Sequence, residues 1–293
     1  IFHFIIVQLP IIFMIIGVIY ALRQPLDNKS KEKLQVFYEH NTSDDIVYES
    51  LKNQLVRKYR VRVGVKVIAT FVRPFLHLKV YGKEHLKQGE YPSIFICNHG
   101  IIYGPIAAVL YLPTYFRPWI DRKMLDCELS AEEMYGRMFF RLPLLSEKAK
   151  RKISCRIAKI VTWALNSFNP IAVERDNLRN VMSTFNLTID ALQEGDNILI
   201  FPERPHKVEY DGVETVVHET KDVGNLFTGF ANLGKLYYQK CKKCLHFYPI
   251  YADKNKHTFR IGEPVIYNPE NNTQEEKQRI AMTLQSKMKE LRD

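Results

Sequence analysis

Short apolar runs of strand length recur between longer stripes of helical period, and this alternation, which begins near His77, restricts the fold more than any other feature. The runs are Ser93-Ile94-Phe95-Ile96-Cys97, Pro170 to Val173, Asn197-Ile198-Leu199-Ile200-Phe201 and Leu245 to Tyr251. Each is apolar at successive positions, as strands buried on both faces are. Between them, Gly104-Pro105 opens an apolar helix through Leu112, with Pro105 suited to a first helical position. Ile153, Ile157, Ile160, Ala164 and Leu165 mark one face of a second helix. Leu178, Val181, Met182, Phe185, Ile189 and Leu192 form a stripe that ends at Gly195, and another helix falls near Asn225 to Gln239. The last helix holds Ile280, Leu284, Met288 and Leu291, with Glu275 and Glu276 early and Lys287, Lys289 and Arg292 late, an order that suits the helix dipole. Strands alternating with helices imply an α/β fold, its sheet mostly parallel or mixed and flanked by helices.

A chain of 293 residues buries such a core without disulfides or metals. Charged residues at 25% argue against disorder, and a mean hydropathy of -0.22 excludes a polytopic membrane protein. The remaining apolar residues gather at one end. Ile1 to Leu22 contains no Asp, Glu, Lys or Arg, and as a helix it would be about 33 Å long, enough for a hydrocarbon core of about 30 Å. A membrane anchor is the expectation, with a buried or interfacial helix as the alternative. Arg23, Lys29, Lys31 and Lys33 then outnumber Asp27 and Glu32, which places the following chain on the cytoplasmic side. The expected organisation is an anchor over 1–22, a basic juxtamembrane helical region over 23–75 and an α/β domain over 76–293.

The chain carries 42 Lys or Arg against 32 Asp or Glu, a formal +10 that attracts phosphate. Between Lys52 and Lys83 there are nine Lys or Arg and no acid, interleaved with Val61, Val63, Phe71, Val72 and Phe75. Beside the apolar N-terminal run, this pattern reads as a helix lying on anionic lipid. Nucleic acid is not expected, because no recognition motif is evident and the densest basic run adjoins the apolar one. The five cysteines are odd in number and irregularly spaced, which suits a reducing compartment. Cys241 and Cys244 have no second pair to complete a zinc site. Neither metal nor cofactor is expected.

Functional groups in α/β sheets collect where strands end. Asn98-His99-Gly100, Glu174-Arg175-Asp176 and Pro202-Glu203-Arg204 follow three of the apolar runs. A histidine, an arginine and a glutamate at neighbouring strand ends supply a base, an anion clamp and an orienting carboxylate.

The same residues resemble those of the phospholipid/glycerol acyltransferases, the family that contains lysophosphatidate acyltransferases. Asn98-His99 with Gly100 to Gly104 is similar to the block Asn-His-x-x-x-x-Asp. Ile171-Ala172-Val173-Glu174-Arg175 is similar to the second block, and Phe201-Pro202-Glu203 to the start of Phe-Pro-Glu-Gly-Thr-Arg. Tyr248-Pro249-Ile250 resembles the last block, and Val80 to Leu86 the lead-in to the first. The resemblance runs from about Leu76 to Pro269. It implies a glycerolipid acyltransferase-like fold and transfer of an acyl group from acyl-CoA or acyl carrier protein to a lysophospholipid at a membrane. His99 would be the base, and Asn98, Gly104, Arg175, Phe201, Pro202, Arg204 and Lys207 would line the substrate, with Lys148–Lys152 in support. Two positions depart from the pattern. Gly104 stands where the family has aspartate, and Arg204-Pro205-His206 replaces Gly-Thr-Arg. With no aspartate to orient the imidazole, Glu203 is the first candidate for that role and Asp121 the second. The rival class is an inactive lipid-binding protein on the same fold.

Overall fold

The computed structural model describes residues 76–86, 92–100, 103–136, 146–174, 178–203, 206–210, 213–217 and 223–293, with scattered positions between 31 and 74. The chain divides into two compact units, Ile1–His77 and Leu78–Asp293. In the first, the described positions between 31 and 70 are helical. The proposed anchor Ile1–Leu22 lies outside the described residues, and among those described no helix is long and apolar enough to cross a membrane.

The second unit is built on an eight-stranded mixed sheet. Its strands are β1 (Lys79–Tyr81), β2 (Ser93–Cys97), β3 (Phe116–Asp121), β4 (Ile171–Val173), β5 (Asn197–Ile200), β8 (His246–Asp253), β9 (Thr258–Ile261) and β10 (Val265–Ile266). They run in the order β1-β9-β8-β2-β5-β3-β4, with β10 paired to β8. Strands β6 (His206–Tyr210) and β7 (Val213–Val217) form a separate hairpin. The pairs of β2 with β5 and β8, and of β3 with β4 and β5, are parallel; β8 with β9 and with β10 are antiparallel. The C-terminal ends of β8, β2, β5, β3 and β4 therefore share one edge of the sheet.

The helices are α1 (Tyr103–Tyr111), α2 (Arg122–Leu125), α3 (Cys127–Met134), α4 (Glu147–Ser167), α5 (Leu178–Gln193), α6 (Asn232–Cys241) and α7 (Thr273–Arg292). Every residue of β2 is buried, because its side chains feed two cores in alternation. Ile94 and Ile96 join Phe185, Leu192, Leu233, Ile280 and Leu284 from α5, α6 and α7, whereas Phe95 and Cys97 join Ala107 and Ala108 of α1 and Phe259. Pro249 sits inside β8 at no cost to the ladder. Its carbonyl accepts from Gly262 N at 2.9 Å, so the missing N–H faces the gap where the outer partner changes from β10 to β9.

α7 is clamped by a buried carboxylate. Glu276, 1% exposed, accepts from Asn268 N (2.8 Å), Asn271 Nδ2 (2.6 Å) and the Arg279 guanidinium (2.6 and 2.8 Å). Burial pushes its pKa up, but the donors led by Arg279 outweigh that and hold it at about 2. A lowered folded pKa stabilises above the ordinary glutamate range and is lost as pH falls toward 2. Glu276→Gln is expected to cost roughly 2–3 kcal/mol near neutral pH. In urea unfolding, the difference from wild type should shrink as the pH is lowered from about 5 toward 2.

Candidate functional site

β2 and β5 are adjacent and parallel, so the residues that follow them meet. His99 N donates to Glu203 Oε2 at 2.9 Å, and the His99 ring meets Phe201 edge-on at 5.3 Å. His99 is half-buried at the sheet edge. Glu203, expected as the imidazole's partner, grips the main chain of His99 in this bond and so fixes the loop on which the imidazole is carried.

The other side of that loop is held by Asn98. It is buried, donates from Nδ2 to Ala252 O (3.0 Å) and accepts from Ala252 N (2.8 Å), tying the end of β2 to β8. The chain then turns tightly, with Gly100 at φ 48°, Tyr103 N donating to Gly100 O (3.0 Å) and Gly104 N to His99 O (3.1 Å). Gly104 is buried beneath this turn, where an added Cβ would lie 1.9 Å from Asn98 O and 3.0 Å from His99 O. The position where the family carries aspartate thus has no room for any side chain on this backbone. Asn98 and Gly104, expected against the substrate, build the scaffold that presents His99.

Cys97 lies two residues from His99, which raises the question of a thiol nucleophile. It is fully buried, and burial first, then the nearby Glu203 charge, pushes its pKa well above the ordinary thiol value. The thiol stays protonated and out of reach.

Past Phe201 opens an apolar cavity of about 300 Å³. Trp119 from β3, Val173 from β4, Val181 and Phe185 from α5, Ile200 and Pro202 around the end of β5, and Phe227 and Phe230 line it. Phe201 is a wall of this cavity and also touches His99, so one ring separates the imidazole from the apolar space. Pro202 is buried and its carbonyl accepts from Phe227 N at 2.8 Å, while Glu203 bridges to Leu226, which brings the 223–230 segment over the cavity. At the rim, Asp121 accepts from Lys123 N (2.9 Å) and so caps α2. Beside it, Glu174 pairs with Arg122.

Arg175 and Arg204 lie outside the described residues, as does the side chain of Lys207, whose backbone belongs to β6. Lys148–Lys152 occupies the start of α4, which packs chiefly on α3 and α2, and Lys150 there is buried against Glu147. Among the described residues no group of three or more His, Cys, Asp or Glu is placed to hold a metal. Trp119, Arg122, Phe227 and Phe230 were not legible as site residues. Arg117, Pro118 and Asp121 interrupt the apolar run of β3, and Phe227 and Phe230 fall at the start of the helix expected near Asn225 to Gln239, which begins only at Asn232 after a 3-10 turn over Gly229–Ala231.

No family model matches the chain, and no curated protein does. Among solved structures, it is similar to the 1-acyl-sn-glycerophosphate (LPA) acyltransferase PlsC from Thermotoga maritima. The two are 14% identical with a TM-score of 0.46, and the match covers 88% of this chain and 95% of that one.

Proposed function

We propose that the chain is a membrane-bound O-acyltransferase that moves a fatty acyl group from a thioester donor to the hydroxyl of lysophosphatidate or a related glycerol-phosphate acceptor. One observation carries this reading. Two blocks far apart in sequence, Asn98-His99 and Phe201-Pro202-Glu203, are joined by the His99–Glu203 hydrogen bond beside an apolar cavity.

In this reaction the His99 imidazole removes the proton from the acceptor hydroxyl as its oxygen attacks the thioester carbonyl carbon. The tetrahedral intermediate collapses with cleavage of the C–S bond. The proton held by the imidazole leaves with the thiolate, so the products are an ester and a free thiol. General base catalysis of this kind supplies about 10²–10⁴-fold. The cavity walled by Trp119, Phe185, Ile200 and Phe230 suits an acyl chain, since burying each methylene there gains about 0.8 kcal/mol. The acceptor phosphate falls to Arg175, with Arg204 and Lys207 in support, because a guanidinium matches phosphate with a planar fork. The donor is acyl-CoA or acyl carrier protein. Ile1–Leu22 anchors the chain in the membrane, the basic segment Lys52–Phe75 lies on the bilayer, and the catalytic unit faces the cytoplasm.

The test is steady-state kinetics in detergent or vesicles. Arg175→Ala is expected to raise the acceptor KM about 10- to 100-fold and to leave the donor KM nearly unchanged. An unchanged acceptor KM removes Arg175 from the phosphate site. The absence of turnover across donors and lysolipids would favour the inactive lipid-binding protein, the reading to which Gly104 lends weight.

A further inference from the structure

Helices α3 and α4 form an antiparallel pair that is packed inside out for a protein in water. The face that α4 buries consists of Lys150, Ser154, Ala158 and Thr162, and α3 answers with Ser130 and Ala131. The hydroxyls of Ser130, Ser154 and Thr162 find no hydrogen-bond partner among the described residues. The apolar stripe read from the sequence points elsewhere, with Ile157 at 37% and Ile160 at 67% exposure, and Trp163 beside it is 64% exposed. On a helical wheel this stripe is displaced by roughly a third of a turn from the buried face. An amphipathic helix of a globular domain normally buries its apolar stripe. Helices that pair through small residues and turn apolar ones outward are those whose outer face meets lipid.

Charge specifies which surface the stripe meets. α4 carries six Lys or Arg against one acid, Glu147. Lys152, Arg156 and Lys159 are exposed, bracket Trp163 on the wheel and lie along one side of Ile160. The exposed acids of the pair are Glu128 and Glu132 on α3 and Glu147 at the start of α4, where Lys150 engages it. A second copy docked face to face would oppose these cations to themselves, whereas anionic headgroups match them.

We propose that the exposed face of α4, centred on Ile157, Ile160 and Trp163, is a lipid-docking surface of the Leu78–Asp293 unit, seated on anionic membrane. The apolar side chains enter the headgroup–acyl boundary while the cations hold phosphate. This surface lies on a different stretch of sequence from Ile1–Leu22 and Lys52–Phe75, and its operation does not depend on acyl transfer.

Trp163 itself is the probe. Fluorescence of the full chain, with the contribution of Trp119 isolated by Trp163→Phe, is followed on vesicles of phosphatidylcholine with or without phosphatidylglycerol. On the anionic vesicles, Trp163 emission is expected to shift to the blue and to be quenched by lipids brominated on their acyl chains. Ile157→Glu with Ile160→Glu should raise the lipid concentration needed for that signal at least about tenfold, with an unaltered thermal unfolding profile. Because Trp163 reports locally, attachment through the N-terminal region does not mimic the result. Co-sedimentation with vesicles while Trp163 stays unshifted and unquenched overturns the proposal. So does failure to bind vesicles, or a lipid-independent blue shift that tracks a dimer in sedimentation velocity.

Discussion

Gly104→Ala is expected to destabilise the Leu78–Asp293 unit by about 3 kcal/mol and to lower acyl transfer about a hundredfold, with Gly104→Asp worse on both counts. The reason is a close approach between backbone and backbone. A Cβ at position 104 would lie 1.9 Å from the Asn98 carbonyl oxygen, and that carbonyl belongs to the residue whose amide is bonded to Ala252. Neither group yields as the end of a flexible side chain would. The strain passes to the Asn98–Gly104 turn, and with it to the position of His99. Aspartate adds a carboxylate in a buried place, with desolvation on top of the clash. Thermal unfolding and turnover measured on the same preparations separate the two effects. A faster Gly104→Asp enzyme would mean that the turn relaxes enough to seat the family's usual acid.

His99→Ala is expected to reduce turnover by about 10²–10⁴-fold while leaving folding and membrane association intact. His99 is half-buried at the sheet edge, and its main-chain bond to Glu203 survives the substitution, so the loss isolates the imidazole. Glu203→Gln makes a useful contrast. Its carboxylate holds the His99 N–H, and a neutral amide oxygen can still accept that bond, though more weakly. A loss of about tenfold is therefore expected from Glu203→Gln, well short of His99→Ala. Equal losses in the two variants would mean that Glu203 acts on the imidazole as well as on the backbone.

The strands were legible wherever the sheet is covered on both faces. β2, β5 and β8 are almost wholly buried, and an uninterrupted apolar run is what that environment selects. β3 escaped notice because Arg117 reaches back to Asn169 O and Pro118 breaks the run, so polar and rigid residues serve the edge of the core there. The short strands β1, β9 and β10 hold too few residues for a period to show. Periodicity located α4 but not its direction, since Ile157 and Ile160 of the stripe face outward while Ser154, Ala158 and Thr162 are buried. A hydrophobic pattern reports which face is apolar, and only packing decides what covers it. At the candidate site, the resemblance set Glu203 beside the His99 imidazole as its orienting carboxylate, whereas the bond in the structure joins Glu203 to the His99 main chain. The burial of Gly104 beneath the Asn98 carbonyl belongs to three-dimensional geometry, and no one-dimensional pattern announces it.

The measurement that bears most directly on the proposed chemistry is the stoichiometry of a single reaction mixture. Purified chain in vesicles is supplied with a fatty acyl thioester and lysophosphatidate, and released thiol and acylated lipid are quantified together. The account predicts one new ester on the lipid for each thiol released, with both signals falling together in His99→Ala. Thiol released without acylated lipid, or acylated lipid formed equally well by wild type and His99→Ala, would contradict it.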